Sequence, residues 1–163
     1  MNAMGSRRRL VRVRVALLGG AVVLLHAAWL AAAPALATLS PGRANEYSLK
    51  AALLYNIAKF VTWPGVAFPS PTAPLQLCVL GSDPFGGALE ETVRAHQIGG
   101  HGLTVRRLAD PDTTCHVLFV ASSEYKRLGA TLERLRSAPV LTVSDIDGFV
   151  EAGGHVAFVR EGE

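Results

Sequence analysis

"KAALLYNIAKFVTWP", residues 50–64, is the most strongly patterned stretch of the chain. At 100° per residue, Leu49, Leu53, Leu54, Asn56, Ile57, Phe60, Val61 and Trp63 share roughly half of a helical circumference. Alanines, Tyr55 and Lys59 fill most of the rest. The spacing predicts a helix from about Asn45, a good N-cap, to about Thr62, stopped by Pro64. A helix lying on a membrane surface should carry Lys and Arg on its polar face. Lys59 is the only charged residue on the alanine-rich side, and Lys50 sits at the edge of the apolar arc. Ala51, Ala52 and Ala58 call for close packing on that second side. The expectation is therefore a core helix buried on two sides, and direct recognition of a partner by it stays open. Asn56 would be a hydrogen-bonded core residue, because an unpaired buried amide costs on the order of 1–3 kcal/mol.

The residues before this helix address the compartment. Arg7, Arg8, Arg9, Arg12 and Arg14 form a basic start, and no charged side chain occurs from Val15 to Ala33. Ala35-Leu36-Ala37 is a small-x-small cleavage site, so residues 1–37 read as a secretory signal peptide. The apolar run is also long enough for an uncleaved anchor. Arginines before it would keep that end cytoplasmic and export the remainder in either case. The Ser6–Leu10 segment resembles a twin-arginine signal only weakly.

Removing that segment reverses the charge. Five of the 16 basic residues and none of the 13 acidic ones precede residue 38, leaving 11 against 13 and a formal net charge of −2. The high whole-chain pI belongs to the targeting segment, and nothing basic remains to argue for nucleic acid. Residues 38–163 suffice for one domain. Both cysteines, Cys78 and Cys115, lie there. In an oxidising compartment an isolated pair most simply forms one disulfide, with two buried free thiols as the alternative.

Downstream, a polar lead-in occupies 38–45, and "PGVAFPSPTAP" is a Pro-rich connector that excludes regular structure. "LQLCVL" (75–80), "LTVRRL" (103–108), "CHVLFVA" (115–121), "PVLTVSD" (139–145) and "HVAFVR" (155–160) read as strands. "FGGALEETVRAHQ", capped by Ser82 or Asp83 with Pro84 in its first turn, and "EYKRLGATLERLRS" read as helices. "GGHG" (99–102) is a turn. Strands alternating with helices predict a single α/β domain, a mostly parallel sheet with helices on both faces, Rossmann-like. An α/β domain usually covers its last strand, so the ending at Glu163 suggests a C-terminally incomplete chain.

Chemistry-bearing patterns are sparse. Gly81, Ser82, Asp83 and Gly86 form a strand-to-helix turn that could present N–H groups to an anion or nucleotide. It lacks the lysine of a phosphate loop and the three-glycine spacing of a dinucleotide site. His96, His101, His116 and His155 show no metal-ligand spacing. Ser122 and Ser123 lack a G-x-S-x-G setting. Asp145 and Asp147 follow a strand, where catalytic acids often sit, yet Asp-Ile-Asp-Gly is also ordinary turn chemistry. No catalytic residue, metal or cofactor is expected.

The blocks "KAALLYNIAKFVTWP", "LQLCVLGSDPFG", "LTVRRL", "CHVLFVASSE", "PVLTVSD" and "GFVEAGGHVAFV", in this order over about residues 46–160, resemble the YfiR family of periplasmic regulators. Tyr55, Asn56, Lys59, Phe60 and Trp63 are the helix residues that mark the family. The resemblance implies a compact α/β domain without a catalytic site. It also implies a partner, the periplasmic sensory region of an inner-membrane diguanylate cyclase. Repressing that enzyme would lower cyclic di-GMP and restrain biofilm formation. The resemblance implies a disulfide between Cys78 and Cys115 and admits a homodimer, while a small ligand is admitted by the turn after the first strand. The chain departs from the pattern in having no second cysteine pair around "GFVEAGGHV", and in lacking a further strand and Leu-rich helix after Glu163.

Overall fold

The computed structural model describes residues 41–159. The expected signal peptide at 1–37, the start of the lead-in and the end of the last expected strand at Arg160 lie outside the described residues. Among those described, three α-helices and six strands alternate: α1 Pro41–Lys59, β1 Leu75–Leu80, α2 Ala88–Val93, β2 Gln97–Ile98, β3 His101–Leu108, β4 Val117–Val120, α3 Leu128–Leu135, β5 Leu141–Ser144 and β6 Val156–Ala157. Short 3-10 turns occupy Gly65–Ala67 and Ser122–Arg127.

The strands form one sheet in the order β2-β3-β1-β4-β5-β6. Every pairing is parallel except the β2–β3 hairpin. In chain order the parallel strands run 2-1-3-4-5, the doubly wound arrangement. Alternation splits the core into two layers. Leu75, Leu77, Val79, Val117, Phe119 and Val143 pack with Ala51, Leu54 and Ala58 of α1 and Leu89 and Val93 of α2. Cys78, Leu80, Leu118 and Val120 pack on the other face with Leu128, Leu132 and Leu135 of α3. The α/β class with helices on both faces is thus as expected.

Element boundaries shift for identifiable reasons. α1 starts at Pro41 rather than Asn45, since proline is tolerated in a first turn where its missing N–H has no helical partner. It ends at Lys59 rather than Thr62, and Phe60 and Val61 close the last turn onto Ile57 and Ala58. Pro64 biases the preceding residue away from helical geometry. α2 is much shorter than 85–97 and has no side-chain cap. Asp83 instead accepts the Phe85 N–H at 2.7 Å and stabilises the preceding turn. At the other end, Gln97 and Ile98 are drawn into the hairpin, so β3 starts at His101 rather than Leu103. Its turn, Gly99-Gly100, has φ of 60° and 86°, the left-handed geometry a two-residue hairpin needs. The Pro-rich connector does contain one 3-10 turn.

Gly154 is required for a different reason. A Cβ there would meet the ring of Phe149, a fully buried side chain, at 2.2 Å. The ring therefore lies directly on the glycine backbone.

Cys78 and Cys115 form a disulfide, with Cα atoms 6.0 Å apart. It ties the middle of β1 to the residue just before β4. Both cysteines are essentially inaccessible, 0% and 2% exposed, which makes the bond structural and shields it from dissolved reductants. Exported native protein should yield no free thiol on labelling before non-reducing electrophoresis. The double variant Cys78→Ala/Cys115→Ala should lose about 3–4 kcal/mol in urea titration, the loop-closure entropy for a separation of this size. Two labelled thiols per native chain would contradict the bond.

Candidate functional site

The packing of α1 does not follow its apolar arc. The buried positions are Lys50, Ala51, Leu54 and Ala58, while Leu49, Leu53 and Phe60 are 62%, 39% and 87% exposed. Asn56 is exposed as well, which corrects the expectation of a core amide. Leu49, Leu53, Asn56 and Phe60 are spaced 4-3-4 and therefore line one stripe along the outside of the helix and the turn after it. The helix is buried on one side, not two.

The cause is an ion pair on the other side of α1. Lys50 Nζ lies 2.6 Å from Asp145 Oδ2, beyond the end of β5, and 2.6 Å from Glu46. Tyr47 donates its hydroxyl to the same Asp145 oxygen at 2.7 Å. The Lys50 and Asp145 side chains are only 10% and 11% exposed. The Tyr47 ring meets Phe85 edge-on at 5.3 Å, and Phe85 meets Phe119 at 4.8 Å. Burial, and then the Asp145 hydrogen bond, raise the Tyr47 pKa well above the ordinary phenol range, so its proton stays in place as donor. Alanines at 51 and 58 let this face approach the sheet closely, as their spacing anticipated. The leucines and Phe60 turn outward as a result.

Tyr55 and Trp63, which the resemblance puts forward as marking the family, are only partly buried. Tyr55 is half-buried against His96, with Lys59 Nζ 5.0 Å above its ring. Trp63 is half-buried with its ring edge-on to His116 at 5.5 Å.

The turn after β1 is engaged by its own protein. Gly81, at φ 88°, donates its N–H to Leu108 O, and Ser82 N–H goes to Ser123 Oγ at 2.9 Å. A side chain at Gly81 would strike Ser123 and Glu124 within 2.8 Å, so those two residues press directly against the backbone of this turn. Asp83 is salt-bridged to Arg107 at 2.7 Å, and the carbonyl of Gly86 accepts from the same guanidinium at 2.8 Å. Asp145, the candidate acid after β5, is held by Lys50 and Tyr47, whereas Asp147 is exposed. His96 and His101 contact aromatic rings, His116 is buried, and His155 Nδ1 accepts the Thr142 N–H at 3.1 Å. No cluster of three or more His, Cys, Asp or Glu able to hold a metal occurs among the described residues. No helix among them is long and apolar enough to cross a membrane.

Fold and surface define a small doubly wound α/β domain that exposes an apolar stripe along the outside of its first helix. Its sequence matches the YfiR/HmsC-like family over residues 47–163, and the chain belongs to that family. The family is generally regulatory rather than catalytic. No curated protein is matched by the chain.

The two faces of α1 should respond differently to substitution. Asp145→Ala leaves the buried Lys50 ammonium without its interior partner and should cost about 3–5 kcal/mol of stability in urea titration. Leu53→Ser and Phe60→Ser, on the exposed stripe, should each stay within about 0.5 kcal/mol of the parent. A large loss at Phe60 would show that the stripe is packed in solution.

Proposed function

We propose that this protein is a periplasmic regulator that docks through the outer face of α1 onto the periplasmic sensory region of an inner-membrane diguanylate cyclase and represses it. The observation that carries the reading is the exposed Leu49–Leu53–Asn56–Phe60 stripe in a member of a regulatory family. Three large apolar side chains held outward along a well-anchored helix and its last turn suit the core of a docking surface, with the exposed polar residues Asn45, Ser48 and Lys59 on the same helix. Repression requires only that the contacts be made with the partner's inactive state and not its active one, which shifts its population. The basic, then apolar, N-terminal pattern and the buried disulfide support export to the periplasm. The resemblance of the sequence blocks supports the cyclase as partner. A small-ligand sensor using Gly81, Ser82, Asp83 and Gly86 is the weaker reading, because their polar groups already bond to Leu108, Ser123, Phe85 and Arg107.

The double variant Leu53→Arg/Phe60→Glu should fold like the parent but fail to recover the membrane partner in a periplasmic pull-down. A strain carrying it should show the raised cyclic di-GMP of a deletion strain. Parent-like capture and cyclic di-GMP by a folded double variant would remove α1 as the docking face. An unchanged cyclic di-GMP level in the deletion strain itself would remove the regulator reading.

A further inference from the structure

The segment joining α1 to β1 lies over a buried histidine that has a single place to accept a proton. His116, just before β4, is 1% exposed. Its Nδ1 accepts the backbone N–H of Gln76 at 3.1 Å, while its own backbone N–H donates to Gln76 O at 3.0 Å. A backbone N–H can only donate, so Nδ1 is unprotonated and the neutral ring carries its hydrogen on Nε2. A second proton can enter only at Nδ1, where it would face the Gln76 N–H, donor against donor.

The rest of the surroundings give the cation little to replace that bond. Neither Nε2 nor the indole Nε1 of Trp63 makes a hydrogen bond of good geometry among the described residues, although the Ala67 backbone carbonyl lies near enough to the His116 ring to favour its cation weakly. Trp63 and Phe68 cover the ring, with centroids 5.5 Å and 4.4 Å away. Phe68 is also stacked on His101 of β3, at 3.8 Å, and His101 Nδ1 bonds to Ala73 O at 2.7 Å. Burial lowers the His116 pKa from its ordinary value, the charge of His101 acts in the same direction, and the Ala67 carbonyl opposes both. On β3 the charged group nearby, Arg106, is bonded to the side chain of Gln76 on β1 and to Asp112. From β5 the Leu141 N–H donates to His116 O at 2.8 Å.

We propose that His116 and the covering segment Trp63–Phe68 form an acid-responsive latch: a proton entering at Nδ1 breaks the bond to Gln76 and lifts Trp63 and Phe68 from the amino edge of the sheet. Trp63 follows Phe60 by three residues, so release changes the C-terminal end of the α1 stripe. The latch stands on its own geometry; its effect on a partner rests on the docking reading. A periplasmic protein meets the pH of the outside medium directly, where such a latch would act.

The sign follows from the neutral form being favoured in the fold. Closure is fully present above the ordinary histidine pKa and is lost as pH falls below it, through the lowered value. The test uses the full chain with Trp29→Phe, so that Trp63 is the fluorophore, titrated from about pH 7.5 to about pH 4.5. Trp63 emission should shift red, and acrylamide quenching should rise, with a midpoint below that of a free histidine, while far-UV circular dichroism is retained. His116→Gln should abolish the transition, and His101→Gln should move its midpoint upward. Flat emission in the parent, or an unaltered transition in His116→Gln, overturns the latch. If His116→Gln fails to fold, ring NMR of the parent decides, and a His116 that protonates without moving the Trp63 indole resonance overturns it too. Partner capture should fall with pH in the parent but not in His116→Gln. If the Trp63 transition occurs and capture ignores it, the docking link fails while the latch stands.

Discussion

The rotation of α1 about its own axis is the constraint on which the rest of this molecule's surface depends. A helix with apolar residues over half its circumference can be buried in more than one orientation, and hydrophobic area alone does not choose. Lys50 and Asp145 choose. The two charges meet at 2.6 Å with their side chains nine-tenths buried, and turning Lys50 away would leave the Asp145 carboxylate buried and uncompensated, so the helix is held at the angle that keeps them joined. Tyr47 adds a second bond to the same carboxylate oxygen. Once that angle is set, Ala51, Leu54 and Ala58 face the sheet, and Leu49, Leu53 and Phe60 face solvent.

Such an arrangement gives up stability for an exposed face. Burying the leucine-rich arc would remove more apolar surface from water than burying alanines does. The alternative orientation, however, would expose Tyr47 and break the ion pair. The exposed stripe is held open by the fold itself, and the disulfide ties β1 to the residues just before β4 in the sheet beneath it.

Much of the fold was legible in the sequence. Alternating apolar runs and helical periods located β1, β4, β5 and α3 to within a few residues, because those elements are buried on the side their pattern marks. The cysteine pair was readable from compartment and count. The burial side of α1 was not, because a helical wheel weighs apolar residues and carries no information about a partner carboxylate 95 residues away. Ala51 and Ala58 held the available signal, since small residues at that spacing mark close approach even when larger neighbours dominate the wheel. α2 was over-extended for a related reason. The two glycines read as a turn, but nothing local shows that Gln97 and Ile98 pair across it rather than continue the helix.

His116 shows the same limit at the scale of one side chain. In sequence it is a histidine beside a cysteine at the start of a strand, unremarkable at any spacing that signals a metal. Its character comes from Gln76, 40 positions earlier, whose backbone N–H decides which ring nitrogen stays bare. Trp63 and Phe68 then exclude the water that would otherwise solvate a cation there. The Pro-rich connector, which sequence pattern marks only as irregular, thereby joins the end of the exposed helix to a buried ring whose protonation the fold opposes. Prolines at 64, 69, 71 and 74 limit how that segment can rearrange. A change at its anchor is therefore carried to α1 rather than absorbed in the loop.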